Sequence, residues 1–253
     1  MKRKSKLYLS ILFLLLISCT GGKYKTQVIS DANGYKYESV KNDPANARIY
    51  TLNNGLKVYL SVNKDEPRIQ TVIGVRAGSN NEPESTTGLA HYFEHLMFKG
   101  TSSFGTSDWE KEKPLLDSIS NLFERYRKET DTGKRRNIYS QIDKFSIEAS
   151  KYAIPNEYDK MLAEIGARGT NAFTSNEQTA YINDIPANEL YRWLTLEKNR
   201  FGDITLRLFH TELETVYEEF NMYQDRDQMR AYTEFGKALF PKNPLGRDVI
   251  GYP

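Results

Sequence analysis

Gly88-Leu-Ala-His91-Tyr-Phe-Glu94-His95-Leu-Met-Phe98 is the stretch on which the reading of this chain turns. It predicts a helix over about residues 87–98, with Gly100 suited to its C-terminal cap. The chain has three histidines, and two of them stand in this one turn. Residues i and i+4 share a helix face, so both imidazoles reach one ion. Glu94, three residues after His91, leans towards the same ion. Two neutral imidazoles beside a carboxylate that does not bind the metal are what activation of a metal-bound water requires. The ion lowers the pKa of the water and the carboxylate takes its proton.

The order H-x-x-E-H is the inverzincin motif, the reverse of H-E-x-x-H, and it points to zinc-dependent peptide hydrolysis. Two histidines in an apolar helix can instead be hydrogen-bonded core residues, so the rest of the sequence has to decide. A catalytic zinc usually takes three protein ligands and leaves one position open. The candidates for the third are His210 and the acidic cluster Glu212, Glu214, Glu218 and Glu219. Glu212 and Glu219 are seven apart and share a helix face. Spacing alone leaves the choice open.

The 253 residues carry 35 basic and 33 acidic side chains. Lys2, Arg3, Lys4 and Lys6 precede an 11-residue run, residues 7–17, that is apolar except for Ser10. Such a run is too short to span a bilayer and suits an export signal. Residues 1–19 therefore read as a signal peptide ending in Leu16-Ile-Ser-Cys19, which resembles a bacterial lipobox with Cys19 as the lipidation site. Removing those four bases turns the balance to 31 against 33, a net −2. No basic stripe with interleaved aromatics is present, which argues against nucleic acid as a partner. Cys19 is the sole cysteine, so an internal disulfide is excluded. The chain is expected to be exported from a bacterial cytoplasm and tethered to a membrane by lipid.

Residues 20–45 contain Gly21-Gly22, Asn33-Gly34 and Asp43-Pro44 and predict a flexible tether with some local order. Residues 48–52 and 56–62 flank Asn53-Asn-Gly55 and predict a β-hairpin. Residues 69–75 predict a strand and 77–83 a loop. Residues 106–153 are charged and heptad-like, with Leu115, Leu116, Ile119 and Leu122 on one stripe. Tyr139, Ile142, Phe145 and Ile147 partly repeat it, and Asp131-Thr-Gly133 interrupts it. This predicts an inserted antiparallel helical hairpin whose stripe serves packing. Residues 157–165 predict a short helix. Residues 167–173 and 179–185 predict two strands joined by the polar 174–178, and 187–201 and 206–230 predict two helices. The expected fold class is α+β: a mixed or antiparallel sheet with helices packed on one face.

Several segments resemble one family in the right order. Arg76-Ala-Gly-Ser-Asn-Asn-Glu82 and Thr87 through Thr101 resemble the zinc-site region of the pitrilysin/insulysin metallopeptidases, including bacterial relatives of the mitochondrial processing peptidase type. Gly169-Thr-Asn-Ala-Phe-Thr-Ser-Asn-Glu-Gln-Thr-Ala-Tyr181 resembles the family's edge-strand segment. Glu212-Leu-Glu-Thr-Val-Tyr-Glu-Glu219 resembles its ligand helix, and Pro244-Leu-Gly-Arg-Asp-Val-Ile-Gly251 a segment further on. The resemblance covers about residues 48–253, and residues 46–253 are expected to form the peptidase domain.

The resemblance implies that His91, His95 and Glu219 bind one Zn2+ per chain, with Glu218 as the rival of Glu219. It implies Glu94 as general base and Glu212 as a partner orienting the site. His210 then falls to a surface role. Asn171, Ala172 and Phe173 would lie on an edge strand where an extended peptide adds by β-augmentation. Phe173 would line a pocket or join the core, and Tyr181 is expected mainly to pack. His95 and Glu219 are 124 apart (219 − 95), beyond the family's usual spacing by close to the length of the 106–153 hairpin. The family carries two homologous domains or pairs two subunits that close like a clamshell. The sequence is expected to be one truncated half of that arrangement, needing a C-terminal homologous domain or a partner subunit. The functions expected are a zinc endopeptidase of extended peptides or, as the alternative, a non-catalytic binding or assembly half.

Overall fold

The computed structural model describes residues 24–252. The expected signal segment, with Cys19, lies outside the described residues. The chain divides into two compact units, residues 1–66 and 67–253. No helix among the described residues is long and apolar enough to cross a membrane.

The first unit is a four-stranded antiparallel meander: β1 (Thr26–Ser30), β2 (Lys36–Val40), β3 (Arg48–Thr51) and β4 (Lys57–Leu60). The hairpin expected around Asn53-Asn-Gly55 is β3–β4, in register from Arg48 opposite Leu60 to Thr51 opposite Lys57. The expected tether is different: residues 26–40 form a second hairpin. Its turn is made by Asp31, whose carboxylate accepts from the amides of Asn33 and Tyr35, and by Gly34 at φ 85°. Asn33-Gly34 is thus a hairpin turn between β-formers and not linker punctuation.

The second unit holds β5 (Arg68–Val75), α1 (Leu89–Leu96), α2 (Trp109–Lys128), α3 (Thr132–Ser150), α4 (Glu157–Glu164), β6 (Arg168–Thr174), β7 (Thr179–Pro186), α5 (Leu190–Gly202), α6 (Phe209–Gln224) and α7 (Asp227–Leu239). Its sheet is antiparallel throughout, in the order β5-β7-β6, with central β7 mostly buried and β6 at one edge. The fold class is therefore α+β, and its sheets are antiparallel rather than mixed. On one face, Tyr158 and Leu162 of α4 and Trp193 and Leu196 of α5 close over Ile185, with Ile69 and Ile73 against them. Val72, pointing to the other face, is 60% exposed. Within this core Arg200 is fully buried, paired with Glu197 and ringed by Phe98, Tyr158, Tyr181 and Phe201.

Helices α2 and α3 fold back on each other with a core of Leu122, Ile138 and Ile142, flanked by Ile119, Phe123, Tyr126 and Phe145. Asp108 and Asp131 cap them, each accepting from the backbone amide three residues on. The inward row of α3 is Ile138, Ile142, Phe145 and Ala149; Tyr139 and Ile147, expected on that stripe, are exposed. The row that wins keeps the 3.6 period more closely.

The segment 206–230 was expected as one helix and is two. Leu208 takes left-handed backbone, φ 54°, so α6 begins only at Phe209. Arg226 is extended and ends the run before α7. No proline or glycine occurs in this segment, so its sequence carries no breaker to announce either event.

Candidate metal centre

Helix α1 starts at Leu89, two residues later than expected, because Gly88 sits at φ 83°. Glu82 supplies the cap from a distance: its carboxylate accepts from the amides of Gly88 and Ala90 at 2.9 and 2.6 Å. An anion at this end also meets the positive pole of the helix. After Leu96 the chain tightens into shorter turns, and Gly100 then takes left-handed backbone at φ 100°. Residues 247–252 cross the start of α1, tied by Arg247 to Glu84 and to the Glu82 carbonyl, and by the Tyr252 amide to Thr87. At the crossing Gly88 and Gly251 touch backbone to backbone. A Cβ on Gly88 would lie 2.5 Å from the Ile250 carbonyl oxygen. Gly88→Ala is therefore expected to cost about 1–2 kcal/mol for left-handed backbone alone, and more for the clash. Urea unfolding of the variant measures it; an unchanged midpoint would refute the crossing.

Tyr92 and Leu96 of α1 pack on Phe209 and Val216 of α6. That contact turns the His91–His95 face towards the face of α6 carrying Glu212 and Glu219. The two Nε2 atoms stand 3.3 Å apart. Glu219 Oε2 lies 3.7 Å from His91 Nε2 and 3.5 Å from His95 Nε2. Among the described residues, no other group of three or more His, Cys, Asp or Glu converges in this way. A tetrahedral zinc with bonds near 2.0–2.1 Å needs ligand atoms about 3.3–3.4 Å apart. The three separations fit that ion with almost no rearrangement.

The histidines are held differently. His95 Nδ1 is 2.8 Å from Glu212 Oε1. A carboxylate only accepts, so Nδ1 carries the proton and Nε2 keeps its lone pair for the converging point. The bond to Glu212 raises the His95 pKa, and burial opposes it. Burial pushes on Glu212 upwards, but the bonds from His95 and Lys99 outweigh it and hold the carboxyl below the usual glutamate value. His91 is lowered to about 4, first by burial and then by the neighbouring His95, so it is neutral at neutral pH. Its Nδ1 is buried without a hydrogen-bond partner.

Glu94 is buried and stands outside the converging trio. Thr174, at the end of β6, donates to its Oε2 at 2.5 Å. Burial raises its pKa, and the Thr174 bond only partly offsets that. His91, Glu94 and Glu219 line a cleft of about 540 Å³ with Ala172, Phe173 and Thr174 of β6 and Arg247 and Asp248 of the crossing strap. Asn171 and Phe173 are exposed and Ala172 half-buried on this edge strand. Phe173 thus stands in the cleft wall and not in the core. Tyr181 is buried, packed on Phe98 and Phe201.

His210 is not a surface residue: its ring packs among Phe123, Tyr139 and Phe209, with Nε2 buried and unpartnered, so it belongs to the joint between hairpin and α6. Glu218, the rival of Glu219, is exposed and absent from the convergence, as is Glu214. Sequence reading missed Thr174, Glu82 and Lys99. Of these only Lys99 had a local signal, standing four residues after His95 on the same side of the turn.

The family model that matches this chain is Insulinase (Peptidase family M16), over residues 57–113 and 142–252. It passes over 114–141, which lie within α2, α3 and their connection. The chain belongs to this family. It is 24% identical over 204 residues to the uncharacterized zinc protease YmxG of Bacillus subtilis, covering 80% of this chain and 38% of that protein. It is 41% identical over 209 residues to a probable mitochondrial-processing peptidase subunit beta of Arabidopsis thaliana, covering 81% and 29%. Among solved structures, the first half of the periplasmic protease PqqL from Escherichia coli aligns with TM-score 0.57 at 18% identity, over 83% of this chain and 36% of that one. A protease from Helicobacter pylori aligns with TM-score 0.53 at 20% identity, over 90% and 39%. The chain thus spans about a third of the length of these relatives.

Proposed function

We propose that this chain is the metal-bearing half of a zinc endopeptidase acting on extended or unfolded peptides. The observation that carries the reading is the convergence of His91, His95 and Glu219 at zinc-ligand separations, with Glu94 beside them and outside the trio. Zinc held by these three would lower the pKa of a bound water and polarise a peptide carbonyl. Glu94 is the proton carrier: Thr174 fixes one of its oxygens, and the other accepts the proton of the attacking water and returns it to the leaving amine. The free edge of β6 at Asn171, Ala172 and Phe173 offers main-chain bonds to a peptide strand, and Phe173 offers an apolar contact beside the cleft.

The second half of the site is a partner domain or subunit. The share of each relative that this chain spans supports that reading, as does the open cleft. A lipid tether at Cys19 would place the enzyme at a membrane in the cell envelope; mass spectrometry of the N-terminal peptide tests it, and an unmodified Cys19 would remove it.

Zinc titration with chelator competition tests the core of the proposal. The chain is expected to bind one zinc, and His91→Ala, His95→Ala and Glu219→Ala each to bind it far more weakly. Zinc at a thousand times its Kd should stabilise the fold by about 4 kcal/mol, reversed by chelator. A Glu218→Ala effect matching that of Glu219→Ala would overturn the ligand assignment. Zinc binding without cleavage, with cleavage restored by the second half, would define the chain as an incomplete half. Zinc binding with no cleavage in either state would favour the binding or assembly role.

A further inference from the structure

Lys99 stands outside the converging trio, yet it is anchored at both ends, its ammonium to the site and its carbonyl to Arg207. Its ammonium pairs with Glu212 Oε2, while Oε1 of the same carboxylate holds His95 Nδ1 at 2.8 Å. Its carbonyl accepts from Arg207 Nη1 at 2.8 Å. Arg207 is itself clamped by both oxygens of Glu112 from the start of α2, at 2.5 and 2.7 Å. Among the described residues, His95 and Lys99 are the ion-pair partners of Glu212.

A buried carboxylate gripped at one oxygen can still swing about its last torsion. Gripped at both, it has one orientation, and here that orientation aims Oε1 at His95. Three carboxylates, Glu94, Glu212 and Glu219, surround the two imidazoles, and Lys99 brings a full positive charge to this cluster. We propose that Lys99 is a positioning residue for the metal site: it holds Glu212 in place, so that His95 presents its Nε2 lone pair to the ion. The inference rests on the ligand reading above.

Zinc affinity by competition with a chromophoric chelator tests it, on the whole chain and its Lys99→Met, Lys99→Arg, Glu212→Gln and double Lys99→Met/Glu212→Gln variants. Methionine keeps the length of the stem and leaves the main-chain bond to Arg207; Lys99→Gln replaces it if circular dichroism shows the methionine variant unfolded. Lys99→Met is expected to weaken zinc binding about 10–100-fold, as for other outer partners of metal ligands, and Lys99→Arg to restore most of it. In the Glu212→Gln background Lys99→Met should add nothing, because its action runs through that carboxylate. Wild-type affinity in Lys99→Met, or an equal loss in the Glu212→Gln background, would overturn the proposal while leaving the ligand reading intact. A wild-type chain that binds no zinc would overturn both.

Discussion

Glu94→Gln is expected to lower kcat for peptide cleavage by about 10²–10⁴-fold and to leave one zinc bound per chain. Glutamine has the shape of glutamate, and its carbonyl can still accept the hydrogen bond from Thr174. What it loses is the ability to take a proton. Because Glu94 is not among the three converging atoms, metal affinity should hold close to wild type. The measurement is cleavage of a quenched unstructured peptide, made in whichever state the wild type cleaves, alone or with its second half. Zinc content is determined on the same samples. Retained cleavage would remove Glu94 from the mechanism. Loss of zinc together with cleavage would make Glu94 a ligand, and the trio would need revision.

The second large effect is on stability. Glu112 and Arg207 are both fully buried, and Arg207 also donates to the carbonyls of Lys99 and Thr101. Glu112→Ala leaves a guanidinium buried with no counter-charge, which costs about 3–5 kcal/mol. For a chain of this size the melting temperature should fall on the order of 10 °C. The double change Glu112→Leu with Arg207→Met removes both charges and should recover part of that loss. It should not recover all, since the buried Thr101 carbonyl and the half-buried Lys99 carbonyl lose their donor. Denaturant unfolding of the three proteins decides it. A loss under about 1 kcal/mol in Glu112→Ala would mean that water reaches the pair and that the α2 start is not anchored to the loop after α1.

Much of the secondary structure was legible because it is written locally. Asn53-Asn-Gly55 between β-formers gave β3–β4, a β-branched run gave β5, and β6 and β7 were read as two strands about the polar 174–178. Some departures come from backbone set by partners distant in sequence. Gly88 and Glu82 moved the start of α1. Leu208 takes left-handed backbone, so α6 starts late, with no residue in the segment to announce it. Asn33-Gly34 was instead a local turn signal: it joins residues 26–30 to 36–40, but the polar segment around it read as a tether.

The sequence by itself determined that His91, Glu94 and His95 share one side of a single turn, because helical period is a property of the local backbone. It also put Glu212 and Glu219 on one face of another helix. Spacing left open which acid meets the histidines; the tertiary structure brings Glu219, the one the family resemblance implied, to them. The docking of Tyr92 and Leu96 on Phe209 and Val216 sets the distance and rotation between α1 and α6. That contact brings Glu219 to the imidazoles and Glu212 behind His95, and leaves Glu214 and Glu218 facing outwards. It is made across more than a hundred residues, where no spacing rule applies.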